Sequence, residues 1–77
     1  MKIINKNDVV YNKHYNTIGI VLDSFDFEDI RTDADGVVYS EDCIKVNSMT
    51  DLENYINNNV FIAPSTLEKI KRDNLLF

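Results

Sequence analysis

At 77 residues the chain makes one domain, and folding at this length buries only about 60% of the surface that the unfolded chain exposes. Thirteen acidic residues against eight basic ones give a net charge of -5, which repels a phosphate backbone unless the cations gather on one face. The 44% hydrophobic fraction argues against disorder, the single Cys43 excludes an internal disulfide, and no apolar run approaches the roughly 20 residues that span a bilayer. The first residues, Met1 to Lys6, lack the apolar stretch of a secretion signal, so a cytoplasmic location is expected.

The first part of the chain reads as β. Asp8 to Tyr11 is a short β-prone run, and residues 12–16 form a polar turn region. Thr17 to Leu22 is the second strand, with Ile18, Ile20 and Leu22 on one face and Gly19 opposite, where a missing side chain permits a bend or a bulge. Ser24 to Asp29 is acidic and interrupted by Phe25 and Phe27, as in a loop or the splayed end of a hairpin. Ile30 to Thr32 resumes a strand, Asp33-Ala34-Asp35-Gly36 carries the Asp-Gly hairpin signal, and Gly36 to Ser40 returns. Glu41 and Asp42 break that strand, and Cys43 to Val46 is the last, with Ile44 and Val46 facing the same way.

The period then changes. Thr50-Asp51-Leu52-Glu53 reads as a capping box opening a helix to about Asn57, with Leu52, Tyr55 and Ile56 on its apolar stripe. The run Asn57-Asn58-Asn59 ends it, Val60 to Ile62 is a candidate edge strand, and Pro64 stops regular pairing. Ser65-Thr66-Leu67-Glu68 reads as a second capping box, opening a helix that carries Leu67 and Ile70. Lys69, Lys71 and Arg72 lie toward its C-terminal end, where positive charge suits the helix dipole. Leu75, Leu76 and Phe77 form an apolar tail that folds back or packs on a partner.

This order predicts an α+β fold: a small five-stranded barrel over residues 5–47, and one or two short helices over 48–77 that cover its open end. So short a chain cannot hide two broad sheet faces, and curling closes a single core. Asn7 to Tyr11, Thr17 to Val21 with its glycine, Thr32 to Val38, and Cys43 to Val46 after the turn Ser40-Glu41-Asp42 together resemble the SH3-like small barrels of bacterial and phage proteins. The resemblance covers a little over half the chain and implies a binding module, with partners ranging from peptides to RNA and DNA. The acidic balance argues against the nucleic-acid branch.

Chemistry-bearing patterns are few. Asp33, Asp35 and Gly36 align with positions 3, 5 and 6 of a calcium loop, but position 1 is then Arg31 and the flanks are β, so an ordinary hairpin turn is the simpler reading. His14 is alone in a turn, and with Cys43 it makes a poor basis for zinc. Gly19 and Gly36 are the only glycines, which excludes a glycine-rich phosphate loop. No catalytic residue, metal or cofactor is expected. Asp23 to Asp42, by contrast, holds eight carboxylates and one cation, Arg31. Phe25 and Phe27 among Asp26, Glu28, Asp29, Asp33 and Asp35 suggest an apolar anchor ringed by acids, while a solvated loop with one Phe completing the core is the plainer alternative. Tyr11 and Tyr39 are the tyrosines best suited to an aromatic peptide groove.

The expected function is therefore a non-catalytic protein-interaction module that meets a basic protein surface, such as an accessory or inhibitory factor of a phage or mobile element. A variant is mimicry of nucleic acid, which requires two regular lines of acids. Two alternatives stay open: a small nucleic-acid-binding regulator using Lys69, Lys71 and Arg72, and a structural or homo-oligomeric subunit joined through Leu75, Leu76 and Phe77.

Overall fold

A computed structural model describes residues 4–25 and 28–76. Five antiparallel strands precede two helices. The strands are β1 (Val9–Asn12), β2 (Thr17–Ser24), β3 (Asp29–Thr32), β4 (Gly36–Tyr39) and β5 (Cys43–Lys45); the helices are α1 (Met49–Asn57) and α2 (Pro64–Arg72). The strand order is β4-β3-β2-β1-β5, so β4 and β5 are the opposite edges of the sheet. They are joined by a single 3-10 turn, Ser40–Asp42. Four chain steps from Tyr39 to Cys43 span at most about 15 Å. In a flat sheet those edges would lie about 19 Å apart. The sheet is therefore curled.

Length alone suggested one core. The described residues instead form two, back to back across β1 and β2. Val10, Val21, Ile30, Val38 and Cys43, one from each strand, pack with Ile4 on the concave side. Val9, Ile18, Ile20 and Val46 face the other way and meet Leu52 of α1, Ile70 of α2, Val60 and Leu76. The helices thus cover the outer face of β1 and β2 rather than an open barrel end. Consecutive residues point to opposite faces of a strand, so Val9 and Val10, both β-branched and both buried, serve one core each. Ile18 and Ile20 share the helix-covered face as expected, but Leu22 sits where the β2–β3 register shifts between Val21 and Asp23 and is only half buried. Val46 is buried in the outer core, whereas Ile44, at the edge, is exposed. The bulge predicted at Gly19 therefore falls three residues later. Gly19 instead makes room for the β3–β4 turn: a Cβ there would lie 3.1 Å from Thr32 Cβ and 3.2 Å from Ala34 Cβ.

That turn is tied down by side chains. Gly36 has φ 74°, the left-handed conformation that glycine adopts without a Cβ penalty. The Asp33 main-chain N–H donates to Ile20 O (3.1 Å), and Asp33 Oδ1 accepts from the Ile20 N–H (2.7 Å). Asp33 Oδ2 accepts from the buried Thr66 hydroxyl of α2 (2.7 Å), and Asp35 accepts from the Thr17 hydroxyl. On the same side of β2 the Ile18 N–H donates to Phe61 O (2.9 Å). The outward amides of the first half of β2 are thus covered by a linker carbonyl and a carboxylate. Val60 to Ile62 adds only one parallel bridge, Phe61 to Thr17, in place of the expected edge strand.

Both helix starts differ from the expected capping boxes. Ser48, in extended conformation, caps α1 by accepting from the Asp51 N–H (3.1 Å), so Thr50 already lies inside the helix. Pro64 leads α2 behind Ala63, with its φ preset for the first helical position, and no side chain caps it. Thr66 is therefore free to turn its hydroxyl to Asp33. Both helices end beside an asparagine, the first within the expected Asn57-Asn58-Asn59 run. Asn59 (φ 65°) and Asn74 (φ 55°) take the left-handed position usually given to glycine. Around them Asn59 N–H donates to Ile56 O and Val60 N–H to Tyr55 O, and Asn74 N–H donates to Lys71 O and Leu75 N–H to Ile70 O. Each reversal returns an apolar residue, Val60 or Leu75, to the core.

Candidate functional site

The outward face of β4 carries two exposed apolar side chains near the acidic segment. In the β3–β4 register Val37 pairs with Arg31 and Tyr39 with Asp29, while Val38 turns inward opposite Ile30. Val37 and Tyr39 are each 62% exposed. A loop from the far side of the sheet rises beside them. Asn12 is buried, and its Oδ1 accepts from the main-chain N–H of His14 (2.9 Å) and Tyr15 (3.3 Å), closing the β1–β2 connection. The His14 ring meets Tyr15 edge-on at 4.7 Å. Between loop and strand lies a groove of about 330 Å³ lined by His14, Tyr15, Asp29, Val37, Val38, Tyr39 and Asp42. A smaller depression of about 200 Å³ continues past Tyr39 along Glu28, Ser40 and Glu41.

Hairpin pairing thus gathers part of the acidic segment. Ser40 N–H donates to Glu28 O (2.6 Å), which draws the residues before β3 to those after β4. Four acidic residues, Glu28, Asp29, Glu41 and Asp42, line the two hollows on either side of Tyr39. The aromatic anchor expected at Phe25 is matched here by Tyr39. Phe25 itself is exposed at the end of β2 and does not line the groove, and Asp26 and Phe27 lie outside the described residues.

Three sequence-based choices lie elsewhere in the fold than this groove. Asp33 and Asp35 are not part of this patch: they sit at the opposite end of the β3–β4 hairpin, accepting hydrogen bonds from Ile20, Thr66 and Thr17. Tyr11 belongs to the helix-covered face. Its ring stacks on Tyr55 of α1 with centroids 4.6 Å apart, and its hydroxyl donates to Asn16 Oδ1 (3.1 Å). Leu76 is buried in the outer core and the half-buried Leu75 packs against it; Phe77 lies outside the described residues.

Val37 was not singled out, His14 was read as a lone turn residue, Asp42 was counted only within the acidic stretch, and Tyr15 was passed over for Tyr11 and Tyr39. The signal for the last β4 residue but two was present: Val37 and Tyr39 share one parity with Val38 between them, so one apolar set had to face outward. Asn12, two residues before His14, was the signal for the loop.

On α2, Lys69 and Arg72 are three positions apart and share one side of the helix, while Lys71 lies about 200° around the axis from Lys69. Arg72 pairs with Asp73 (3.3 Å). Arg31 pairs with Asp23, and Lys45 with Asp8 (3.4 Å). Among the described residues, no group of three or more His, Cys, Asp or Glu side chains is arranged to hold a metal ion, and no helix is long and apolar enough to cross a membrane. Comparison with protein-family models, with curated proteins and with solved structures found no match.

Proposed function

We propose that this domain is a non-catalytic protein-interaction module that docks a basic protein segment in the groove beside β4. The observation that carries the reading is Tyr39: a 62% exposed aromatic ring on a regular strand, between Tyr15 and Val37, with Asp29 and Asp42 lining the same groove. Aromatic side chains supply contact area at little entropic cost, and the surrounding acids favour encounter with a cation-bearing partner. Acids clustered around one ring suit docking better than nucleic-acid mimicry, which calls for two regular lines of charge. The role is that of an accessory or inhibitory factor, of the kind carried by phages and mobile elements.

The same reading takes the sheet as an SH3-like barrel. Its support is the short 3-10 connection between the two edge strands and an inner core with one residue from every strand. In that architecture the groove lies where the β4 edge approaches the β1–β2 loop.

The test is capture of partners from a lysate of the source cell by the tagged chain, with and without nuclease. Tyr39→Ser and Asp42→Lys each remove at least nine-tenths of a nuclease-resistant partner, while Lys69→Glu with Lys71→Glu leaves it bound. A partner that disappears with nuclease, and survives Tyr39→Ser, transfers the function to the α2 cations and overturns the proposal.

A further inference from the structure

The geometry points to strand addition as the way this groove holds its partner: an extended basic segment pairs antiparallel with the free edge of β4 and lays alternate Lys or Arg side chains over Tyr39. This rests on the docking reading and specifies its partner class. Three observations carry it.

The first is the hydrogen-bond phase of β4. Ser40 N–H bonds to Glu28 O. In an antiparallel ladder bonded and non-bonded pairs alternate. The register then makes Ile30–Val38 and Thr32–Gly36 the bonded pairs. Val37 therefore turns its N–H and C=O, and Tyr39 its N–H, away from β3, toward the groove, while the Tyr39 C=O closes the 3-10 turn Ser40–Asp42. β4 is an end of the sheet order, and among the described residues no strand pairs with its other side.

The second is that β4, a four-residue strand, has neither a charge nor a proline of its own to blunt its edge. The outward amides of Ile18 and Ile20 on β2 are taken by Phe61 O and by Asp33 Oδ1. The other edge strand, β5, carries Lys45. Charges, prolines, bulges and covering segments are the usual means of blunting an edge. β4 reads Gly-Val-Val-Tyr and has no charge and no proline.

The third selects the occupant. A second copy of the chain is the obvious alternative, because an uncharged edge can pair with itself. Each copy carries a net charge of -5, so two copies repel one another. A basic segment reverses the sign. In antiparallel addition the residues that lie opposite Val37 and Tyr39 also place their side chains on the Val37–Tyr39 face. A cation there lies over the Tyr39 ring, in reach of the acids that line the groove.

The experiment uses the full 77-residue chain and the probe acetyl-Val-Arg-Val-Arg-Val-Arg-Val-amide, with affinity read by NMR titration. Two further probes carry N-methyl groups, one on every arginine amide and one on the interior valine amides. The parent shifts the Val37 and Tyr39 amides and slows their exchange with solvent. Methylation of the arginine set weakens binding at least tenfold, and methylation of the valine set leaves it within twofold. Equal binding by all three probes means that side chains alone hold the peptide, and overturns strand addition while the docking reading stands. Equal loss with both methylated probes, or a parent that moves neither amide at millimolar concentration, also overturns it. The docking reading fails separately, if Tyr39→Ser leaves capture of the natural partner intact.

Discussion

Leu52→Ala is expected to lower the stability of the whole domain by about 3.5 kcal/mol, the middle of the range for emptying a fully buried leucine site. Leu52 is fully buried and is the one residue of α1 in that state. It faces Val9, Ile18 and Ile20 across the outer core, where Ile70 and Leu76 also meet. The loss falls on a chain whose length leaves a thin margin. Urea unfolding followed by circular dichroism checks it. The midpoint drops while helix and sheet signals still disappear together, because the helices complete one of the two cores. Early loss of the helical signal with the sheet signal intact would make the helices a detachable appendage, and would remove the two-core description.

Asp33→Ala is expected to cost about 2 kcal/mol, and Asp33→Asn much less. The carboxylate accepts from two donors that are otherwise buried, the Ile20 amide and the Thr66 hydroxyl. A buried donor left without an acceptor costs about 1–3 kcal/mol. Water reaches Asp33 at the surface, which keeps the sum toward the lower end. Asparagine retains an acceptor for Ile20 and offers Thr66 an amide. In a double-mutant cycle Asp33→Ala and Thr66→Val couple, because the second change removes one orphaned group made by the first. Neither change alters partner capture, since this clamp lies at the far end of the hairpin from Tyr39. Full additivity, or capture lost at unchanged stability, would contradict the assignment of Asp33 to the frame.

Much of the frame was legible from local signals. Alternation at Ile18 and Ile20, the Asp-Gly turn at Gly36 and the helix stripe with Leu52 and Ile70 all depend on neighbours a few residues away. The asparagines that end both helices belong to the same class. What sequence could not give was decided by distant partners. The carboxylates of Asp33 and Asp35 look like solvated charge until Thr66, 33 positions on, and Thr17, 18 positions back, are brought beside them. Tyr11 and Tyr39 both have the parity of a strand residue, and only the packing of α1 on β1 tells which ring is covered. Ser48 and Thr50 both offer an oxygen at a helix start, and the chain took the earlier one. The groove needed two pieces that pattern does not join: a loop held by Asn12 and the outer face of β4. Its acidic surroundings were visible as eight carboxylates, but their division between frame and groove was not.

The central claim is that the β4 groove selects basic, extended segments. Its most direct test is selection of random linear peptides, displayed at low valency, on the wild-type chain and in parallel on the Asp42→Lys chain, with thermal melts showing both to be folded. The account predicts that wild type enriches sequences with Lys or Arg at alternate positions, and that Asp42→Lys fails to enrich them. Enrichment of acidic or uncharged sequences, or the same basic sequences on both chains, would contradict it.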